Sequence, residues 1–159
     1  MFKIQITCVG ELSESYYRAA QAEYVKRLSR YCDLQICQVP DEKAPASASV
    51  AIEEQIKKKE CARMLEKLRP DDIVVALDLS GKELTSPQLA KRLEDYAMQG
   101  RRVCFVIGGS LGLSEDILKR SSERLCLSKM TFTHNMARIL LLEQLYGGFK
   151  INANEPYHK

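Results

Sequence analysis

The chain has 159 residues, of which 45% are apolar and 28% charged, and its formal net charge is only +3 at pH 7. This length suits one domain with a buried core, and the small net charge excludes a histone-like polycation. No apolar run is long enough to span a bilayer, and the opening MFKIQITCVG lacks the apolar stretch of a secretory signal. We therefore expect a single cytoplasmic domain over residues 1–159.

In chain order, the predicted elements are a strand (2–9), a helix (14–30), a strand (34–39), a helix (50–69), a strand (72–79), a helix (86–99), a strand (102–107), a short helix after Ser114, a strand (124–127) and a helix (135–146). The helices follow from apolar residues spaced three to four apart, and the strands from short apolar runs that end at glycine or proline. We expect a turn at residues 80–82, an N-cap at Ser86 and an irregular segment from Gly147 onward.

Five successive strand–helix units predict an α/β protein with a mainly parallel sheet sandwiched by helices. The six cysteines mostly lie inside apolar stretches, and no pair has the CxxC spacing of zinc or redox sites. The two histidines are remote from any cysteine pair. We therefore predict reduced core thiols, with neither a disulfide framework nor a metal site.

Ligands of open α/β sheets bind beyond the carboxyl ends of the strands. Residues 77–81, 108–112 and 127–132 all lie at such ends. The GGSLG sequence of residues 108–112 matches neither GxGxxG nor a P-loop, so a tight strand-to-helix turn explains it at least as well as a cofactor cradle.

The last helix is apolar nearly all round, which requires either deep burial or a subunit interface. We favour a homodimer interface, since twofold dimers are the commonest oligomers. Taken singly, Arg138 is expected to pair with Glu143 or a carbonyl, and the tail from Tyr157 is expected to fray. Residues 119–159 carry seven basic and three acidic groups. This makes the C-terminal end the better candidate for meeting a polyanion, although a solvated surface is the alternative.

Four segments together resemble one family. FVIGGSLGL (105–113), LSKMTFTH (127–134), EQLY (143–146) and the terminal YHK (157–159) are similar to RlmH, the ribosomal RNA large-subunit methyltransferase H family of the SPOUT superfamily. The resemblance runs from end to end of the chain, and several ordered motifs are more specific than any one of them.

The resemblance implies a C-terminal trefoil knot, a homodimer and an S-adenosylmethionine site built by the knot loops. The family's cofactor positions fall on Leu77, Gly108, Leu127, Ser128, Lys129, Met130, Thr131 and Phe132. The implied activity is methylation of the N3 position of a pseudouridine in a 23S ribosomal RNA hairpin loop on the assembled ribosome. Arg138 would stabilise the anionic base or hold phosphate, and Tyr157 and His158 would close over the substrate nucleotide.

The chain departs from the family at two places. Gly147 and Gly148 stand where an Arg and an Ala are typical, and Thr133 stands where a Pro is usual. The glycine pair removes a cation near the presumed active site and places two helix breakers at the end of the last helix. Two alternatives therefore remain open: a knotted RNA- or ribosome-binding protein with weak or no methyltransferase activity, and a methyltransferase that acts on another RNA.

Overall fold

A computed structural model describes residues 1–157. Its elements are β1 (Lys3–Val9), α1 (Ser15–Leu28), β2 (Asp33–Val39), α2 (Val50–Leu65), β3 (Ile73–Glu83), α3 (Ser86–Met98), β4 (Val103–Ile107), α4 (Glu115–Arg120), β5 (Glu123–Cys126) and α5 (His134–Asn152). The strands form one sheet in the order β2-β1-β4-β3-β5, and all neighbouring strands are parallel. The predicted α/β class is thus confirmed.

Helices cover both faces of the sheet. One core cluster joins α1, α3 and α5 to alternate strand residues such as Ile6, Val75 and Phe105. The other joins α2 and α4 to the intervening residues, such as Val74 and Val106. Because successive strand side chains point to opposite faces, the apolar runs of β3 and β4 fill both clusters.

The third strand is longer than predicted. Residues 80–82 belong to β3, where Leu125 of β5 pairs first with Leu77 and then with Lys82 across a register shift. A Cβ on Gly81 would lie 2.6 Å from the carbonyl carbon of Arg124, so the glycine permits a close backbone approach rather than a turn.

The start of α3 also differs from the prediction. Thr85, not Ser86, is the N-cap residue, and Thr85 forms a capping box with Gln88. Ser86 and Pro87 occupy the first helical turn, where the missing N–H of proline is tolerated.

The prediction that the last helix ends at Tyr146 was wrong, because α5 continues through both glycines to Asn152. Gly148 packs on α3, where an added Cβ would lie 2.8 Å from Leu93 Cδ1. The Asn152 side chain donates a 2.9 Å hydrogen bond to the carbonyl of Ala90. Contacts with α3 therefore support this last part of α5 despite the low helix propensity of glycine.

All six cysteines are free, and all except the half-buried Cys37 lie in the core, as predicted. Within residues 1–157, no helix has the length and apolarity needed to cross a membrane. The side chains of the same residues form no cluster of histidine, cysteine and carboxylate groups suited to a metal ion.

Candidate functional site

The sheet brings the three predicted strand-end segments to one edge of the molecule. Strands β4, β3 and β5 are neighbours, with Ala76 paired to Val106 and Leu77 paired to Leu125. Residues 108–112 and 127–132 follow β4 and β5, as predicted, whereas residues 77–81 lie within β3, at its register shift against β5, and not beyond its end. Their arrangement suits a single ligand site, although their role in binding stays a prediction.

A cavity of about 230 Å³ opens beside the last of these segments. Its lining includes Leu84, Leu125, Leu127, Phe132, Ser128 and Gln144. A second cavity of about 260 Å³ adjoins it and shares Leu84, Leu89 and Leu125. Each alone is below the range of about 300–1,000 Å³ that is usual for small-molecule pockets. The walls are mainly apolar with a few polar groups, which suits a flat heteroaromatic ring.

The glycine-rich segment after β4 closes on itself. Gly112 has a φ of +85°, and its N–H donates a 3.0 Å hydrogen bond to the carbonyl of Gly109. A Cβ on Gly108 would lie 2.6 Å from the carbonyl carbon of Gly112. The geometry is that of a tight strand-to-helix turn, and Gly108 is required for it whether or not a cofactor binds here.

Helix α2 supports this turn from below. The Ser114 N–H donates to the Cys61 sulfur at 3.2 Å, and Glu60 Oε2 accepts a 3.0 Å bond from the backbone of Glu42. Glu60 Oε1 has no hydrogen-bond partner among the described residues and lies 3.0 Å from the Cβ position at Gly109. Burial raises the pKa of the Glu60 carboxyl. Sequence reasoning missed Glu60 because it follows three lysines in a helix segment that was interpreted as a solvent-exposed face.

The predicted cofactor residues differ in exposure. Gly108 is buried, and Leu77, Leu127 and Ser128 are half-buried. The rest of the segment is exposed: Lys129, Met130, Thr131 and Phe132. The exposed large apolar side chains at the ends of β3 and β5 and the start of α5 are Leu79, Met130, Phe132 and Met136. This cluster leaves apolar surface in contact with solvent around the candidate site.

Arg138 lies inside the protein, with only 1% of its surface exposed. Its guanidinium donates to the side-chain oxygen of Gln38 at 2.6 Å, to that of Gln21 at 3.3 Å and to the carbonyl of Gly10 at 3.0 Å. The expected pairing of Arg138 with a carbonyl is confirmed. The carbonyl belongs to Gly10, the residue after β1, rather than the acceptor being Glu143. All three acceptors are uncharged, Nε has no partner within residues 1–157, and burial lowers the pKa of Arg138. Its catalytic role stays a prediction.

His134 opens α5 two residues after Phe132 and is half-buried. Burial and the nearby Arg138 charge lower the pKa of its imidazole. Thr133 caps this helix by accepting a 3.4 Å hydrogen bond from the Met136 N–H. The threonine thus supplies a cap at the position where a stiffening proline was expected.

The tail is folded back as far as it is described, so the expectation of a frayed Tyr157 was wrong. The Tyr157 hydroxyl donates a 2.9 Å hydrogen bond to Glu143 Oε1, and its ring lies over Gly147. Burial and the bond to Glu143 raise the pKa of Tyr157 to about 12. His158, the third predicted catalytic residue, lies outside the described residues.

Comparison with known proteins defines the class. A family model described as "Predicted SPOUT methyltransferase" matches residues 2–158. The crystal structure of a methylase family protein from Neisseria gonorrhoeae superimposes with a TM-score of 0.56 and 15% identity, covering 99% of this chain and 86% of that one. At this identity the structural likeness supports the fold alone. The parallel sheet with its strand-end loops, together with the family model, defines a methyltransferase of the SPOUT class.

Curated relatives narrow the assignment. A Clostridium perfringens protein named Ribosomal RNA large subunit methyltransferase H 1 is 50% identical over 157 residues, which cover 98% of this chain and 99% of the relative. A Bifidobacterium adolescentis protein named Ribosomal RNA large subunit methyltransferase H is 51% identical over 158 residues, with 99% of both chains covered. The chain belongs to this methyltransferase H family, RlmH.

Proposed function

We propose that this protein methylates ribosomal RNA, and that its target is the N3 position of a pseudouridine in a 23S hairpin loop on the assembled ribosome. The observation that carries the proposal is that residues 77–81, 108–112 and 127–132 belong to or follow three adjacent strands, and that Leu127, Ser128 and Phe132 of the last segment line a mainly apolar cavity. The names of the family's curated relatives support the RNA class. The resemblance in the sequence supports the finer target.

The residues at the cavity fit S-adenosylmethionine. Leu127 and Phe132 offer apolar walls for an adenine ring, and Ser128 and Gln144 offer polar groups for its edge or for the ribose. When bound, S-adenosylmethionine supplies an electrophilic methyl group on a sulfonium centre. The contribution of the protein is to orient the acceptor base and to exclude water, because positioning alone can account for much of the acceleration of a transfer step.

The acceptor imide must lose its N3 proton. His134 is suited to take it, because its lowered pKa keeps the imidazole neutral at pH 7 and it lies two residues after the 127–132 segment. Arg138 is proposed to favour the anionic base through the field of its charge and not by contact, since its guanidinium is 1% exposed and its hydrogen-bond acceptors are uncharged. Tyr157 and the adjacent His158 are proposed to contact the substrate nucleotide.

We also propose that the protein is a homodimer. Two observations support this: neither cavity alone reaches the usual size of a ligand pocket, and Met130, Phe132 and Met136 are exposed, with Phe132 at the 230 Å³ cavity. A second copy that covers these side chains would both enlarge the enclosed volume and bury apolar surface.

The proposed trefoil knot and cytoplasmic location rest mainly on the family resemblance. The ribosome as substrate agrees with a cytoplasmic protein.

Mass spectrometry of ribosomal RNA tests the function. Ribosomes from a strain that lacks the gene are incubated with the purified protein and methyl-labelled S-adenosylmethionine. We expect one methyl group per ribosome on the hairpin pseudouridine. Label at another nucleotide would reject the proposed target, and no label together with no heat of cofactor binding in calorimetry would favour an RNA-binding protein without activity.

The structure weakens the reason for that last alternative. Its motive was twofold: the glycine pair replaces a typical cation near the presumed active site, and it was expected to break the final helix. The second reason no longer holds, because α5 runs through both glycines. Helix α5 is therefore continuous beside the candidate site, and methyl transfer remains the function that the geometry favours.

A further inference from the structure

The C-terminal tail is attached to the body of the protein at two points. The first is Glu155, which accepts a 2.6 Å hydrogen bond from the Tyr31 hydroxyl and lies 3.7 Å from Lys150 Nζ and 3.8 Å from Arg30 Nη1. Asn154 adopts a left-handed conformation with a φ of +58°, which ends α5 and turns the chain back toward it.

The second attachment point is Tyr157. Its hydroxyl donates to Glu143 at 2.9 Å, and its ring occupies the space above Gly147. A Cβ added to Gly147 would lie 2.3 Å from Tyr157 Cζ, closer than any real contact. The ring can therefore occupy this position only because residue 147 has no side chain. Glycine is a poor helix residue, so its presence inside α5 needs a packing reason, and the Tyr157 ring provides one.

We propose that Glu143 and Gly147 form a receptor for Tyr157, here called the tail receptor, which holds the tail in the orientation used for methyl transfer. This inference rests on the proposed function. In it, Glu143 and Gly147 are positioning residues that act through Tyr157 and contact no substrate themselves.

The energetic reason is pre-organisation. A tail that is free in solution must lose conformational entropy when it contacts RNA, whereas a tail already fixed at Glu155 and Tyr157 has lost most of it on folding. Gly147 thus has a structural role, which is to leave room for the Tyr157 ring that fixes the tail. The family's typical arginine would need the volume that the Tyr157 ring fills here, so this chain fixes its tail in a way that an arginine at 147 would prevent.

The central test compares two neighbouring substitutions. Gly147→Ala adds a methyl group into the Tyr157 ring, while leaving Glu143 and Tyr157 in place. Gly148→Ala is the matched control, because it introduces the same residue into the same helix one position further on. Its Cβ would approach the end of the Leu93 side chain at 2.8 Å and the Ala90 backbone at 3.6 Å and 3.8 Å, and not the Tyr157 ring. Both variants are made in the full chain.

Carboxypeptidase digestion measures whether the tail is held. Because cleavage follows the population of the released tail, Gly147→Ala should lose its last residues roughly tenfold faster than the wild type, and Gly148→Ala at close to the wild-type rate. In a Tyr157→Gly background, Gly147→Ala should have no further effect, since the ring that it displaces is gone. Equal digestion of both alanine variants would overturn the receptor.

Methyl transfer to ribosomes measures whether the orientation matters. Gly147→Ala should lower kcat by roughly tenfold to a hundredfold, since a misplacement of about 1 Å can cost as much, with unchanged affinity for S-adenosylmethionine in calorimetry. Gly148→Ala should keep its rate. A released tail with wild-type kcat would overturn the positioning role and leave the proposed function standing. A wild-type protein without any transfer would overturn both, although digestion would still report on the receptor's structure.

Discussion

The guanidinium of Arg138 donates a 2.6 Å hydrogen bond to the side-chain oxygen of Gln38, across 100 residues of sequence. Arg138 is 1% exposed, and the other acceptors bound to it, on Gln21 and Gly10, are also uncharged. An ionised guanidinium is costly to bury without a negative partner. The groups bound to Arg138 therefore leave its charge unneutralised, and that charge can act on an anion outside the chain only through its electric field.

A glutamate at position 38 should cancel that charge. In Gln38→Glu, the new carboxylate would form a charge-assisted bond with Arg138, and the potential felt by an anionic base would fall. We expect kcat for ribosome methylation to drop on the order of tenfold to a hundredfold, because a charge-stabilising donor at a reaction centre contributes that much or more. Steady-state methyl-transfer assays measure it.

Gln35→Glu is the control for this experiment, since Gln35 lies on the same strand and is exposed. It should keep the wild-type kcat, and both variants should bind S-adenosylmethionine normally. A Gln38→Glu variant with full activity would show that the reaction does not use the charge of Arg138.

The pH dependence of the rate tests His134. Its lowered pKa means that the imidazole is neutral at pH 7 and gains a proton only as the pH falls below the ordinary value of 6.5. The methylation rate should therefore decrease at acid pH, as the imidazole of His134 becomes protonated and can no longer accept the N3 proton. His134→Gln should lower kcat by about 10²–10⁴-fold and remove that acid limb.

The measurement is a pH–rate profile of both proteins under saturating cofactor and ribosome. Calorimetry at pH 7 provides the control, because His134→Gln should leave cofactor affinity within about twofold. If the variant retains the same acid limb, the proton goes to another acceptor.

The alternation of strands and helices could be predicted from the sequence, because each buried strand is a continuous apolar run that the local pattern of residues reveals. It was insufficient where a distant segment decides the local structure. Residues 80–82 look like a turn, but Lys82 pairs with Leu125 and β3 continues to Glu83. Gly147 and Gly148 look like a helix end, but packing on Tyr157 and on Leu93 keeps α5 intact.

The candidate site shows the same division. The strand-end segments followed from the predicted parallel sheet, because the carboxyl ends of parallel strands meet at one edge. The burial of Arg138 could not be predicted in this way, since it depends on Gln21 and Gln38, which lie 117 and 100 residues away. Glu60 could be recognised only once α2 was seen to lie under the glycine-rich turn.

Gly108→Ala tests whether the turn after β4 depends on the absence of a side chain. The added Cβ would lie 2.6 Å from the backbone of Gly112, which cannot move as easily as a side chain. Overpacking of this kind costs about 1–3 kcal/mol, and about 2–4 °C of Tm is lost for each kcal/mol in a chain of this size. Thermal unfolding should show the loss, and cofactor affinity should fall with it.

Gly100→Ala separates the effect of steric collision on Tm from the effect of backbone strain. Gly100 has a φ of +66°, and nothing lies within 4 Å of its Cβ position, so alanine there pays only the cost of the left-handed conformation, about 1–2 kcal/mol. A Gly108→Ala protein with the wild-type Tm would mean that the turn adapts, and that Gly108 is not fixed by Gly112.

Glu60→Gln should stabilise the protein at neutral pH. Burial raises the pKa of Glu60, and Asp41 and Glu42 add to the rise while Arg63 and the Glu42 N–H oppose it. The folded carboxyl therefore holds its proton at pH values where the unfolded one, near 4.5, has lost it. The resulting stability is fully present below the unfolded pKa and is lost as the pH rises through the folded one.

The amide in Glu60→Gln has no charge to bury, so its advantage over the wild type should grow from about zero at pH 4 to roughly 1–3 kcal/mol at pH 7, the usual cost of an unsatisfied buried polar group. Urea unfolding at both pH values measures it. Glu94→Gln, at an exposed position of α3, should change stability by less than about 0.5 kcal/mol at either pH. A Glu60→Gln variant that is less stable at pH 7 than the wild type would show that the ionised carboxylate has a partner, and that Glu60 supports the glycine-rich turn in its charged form.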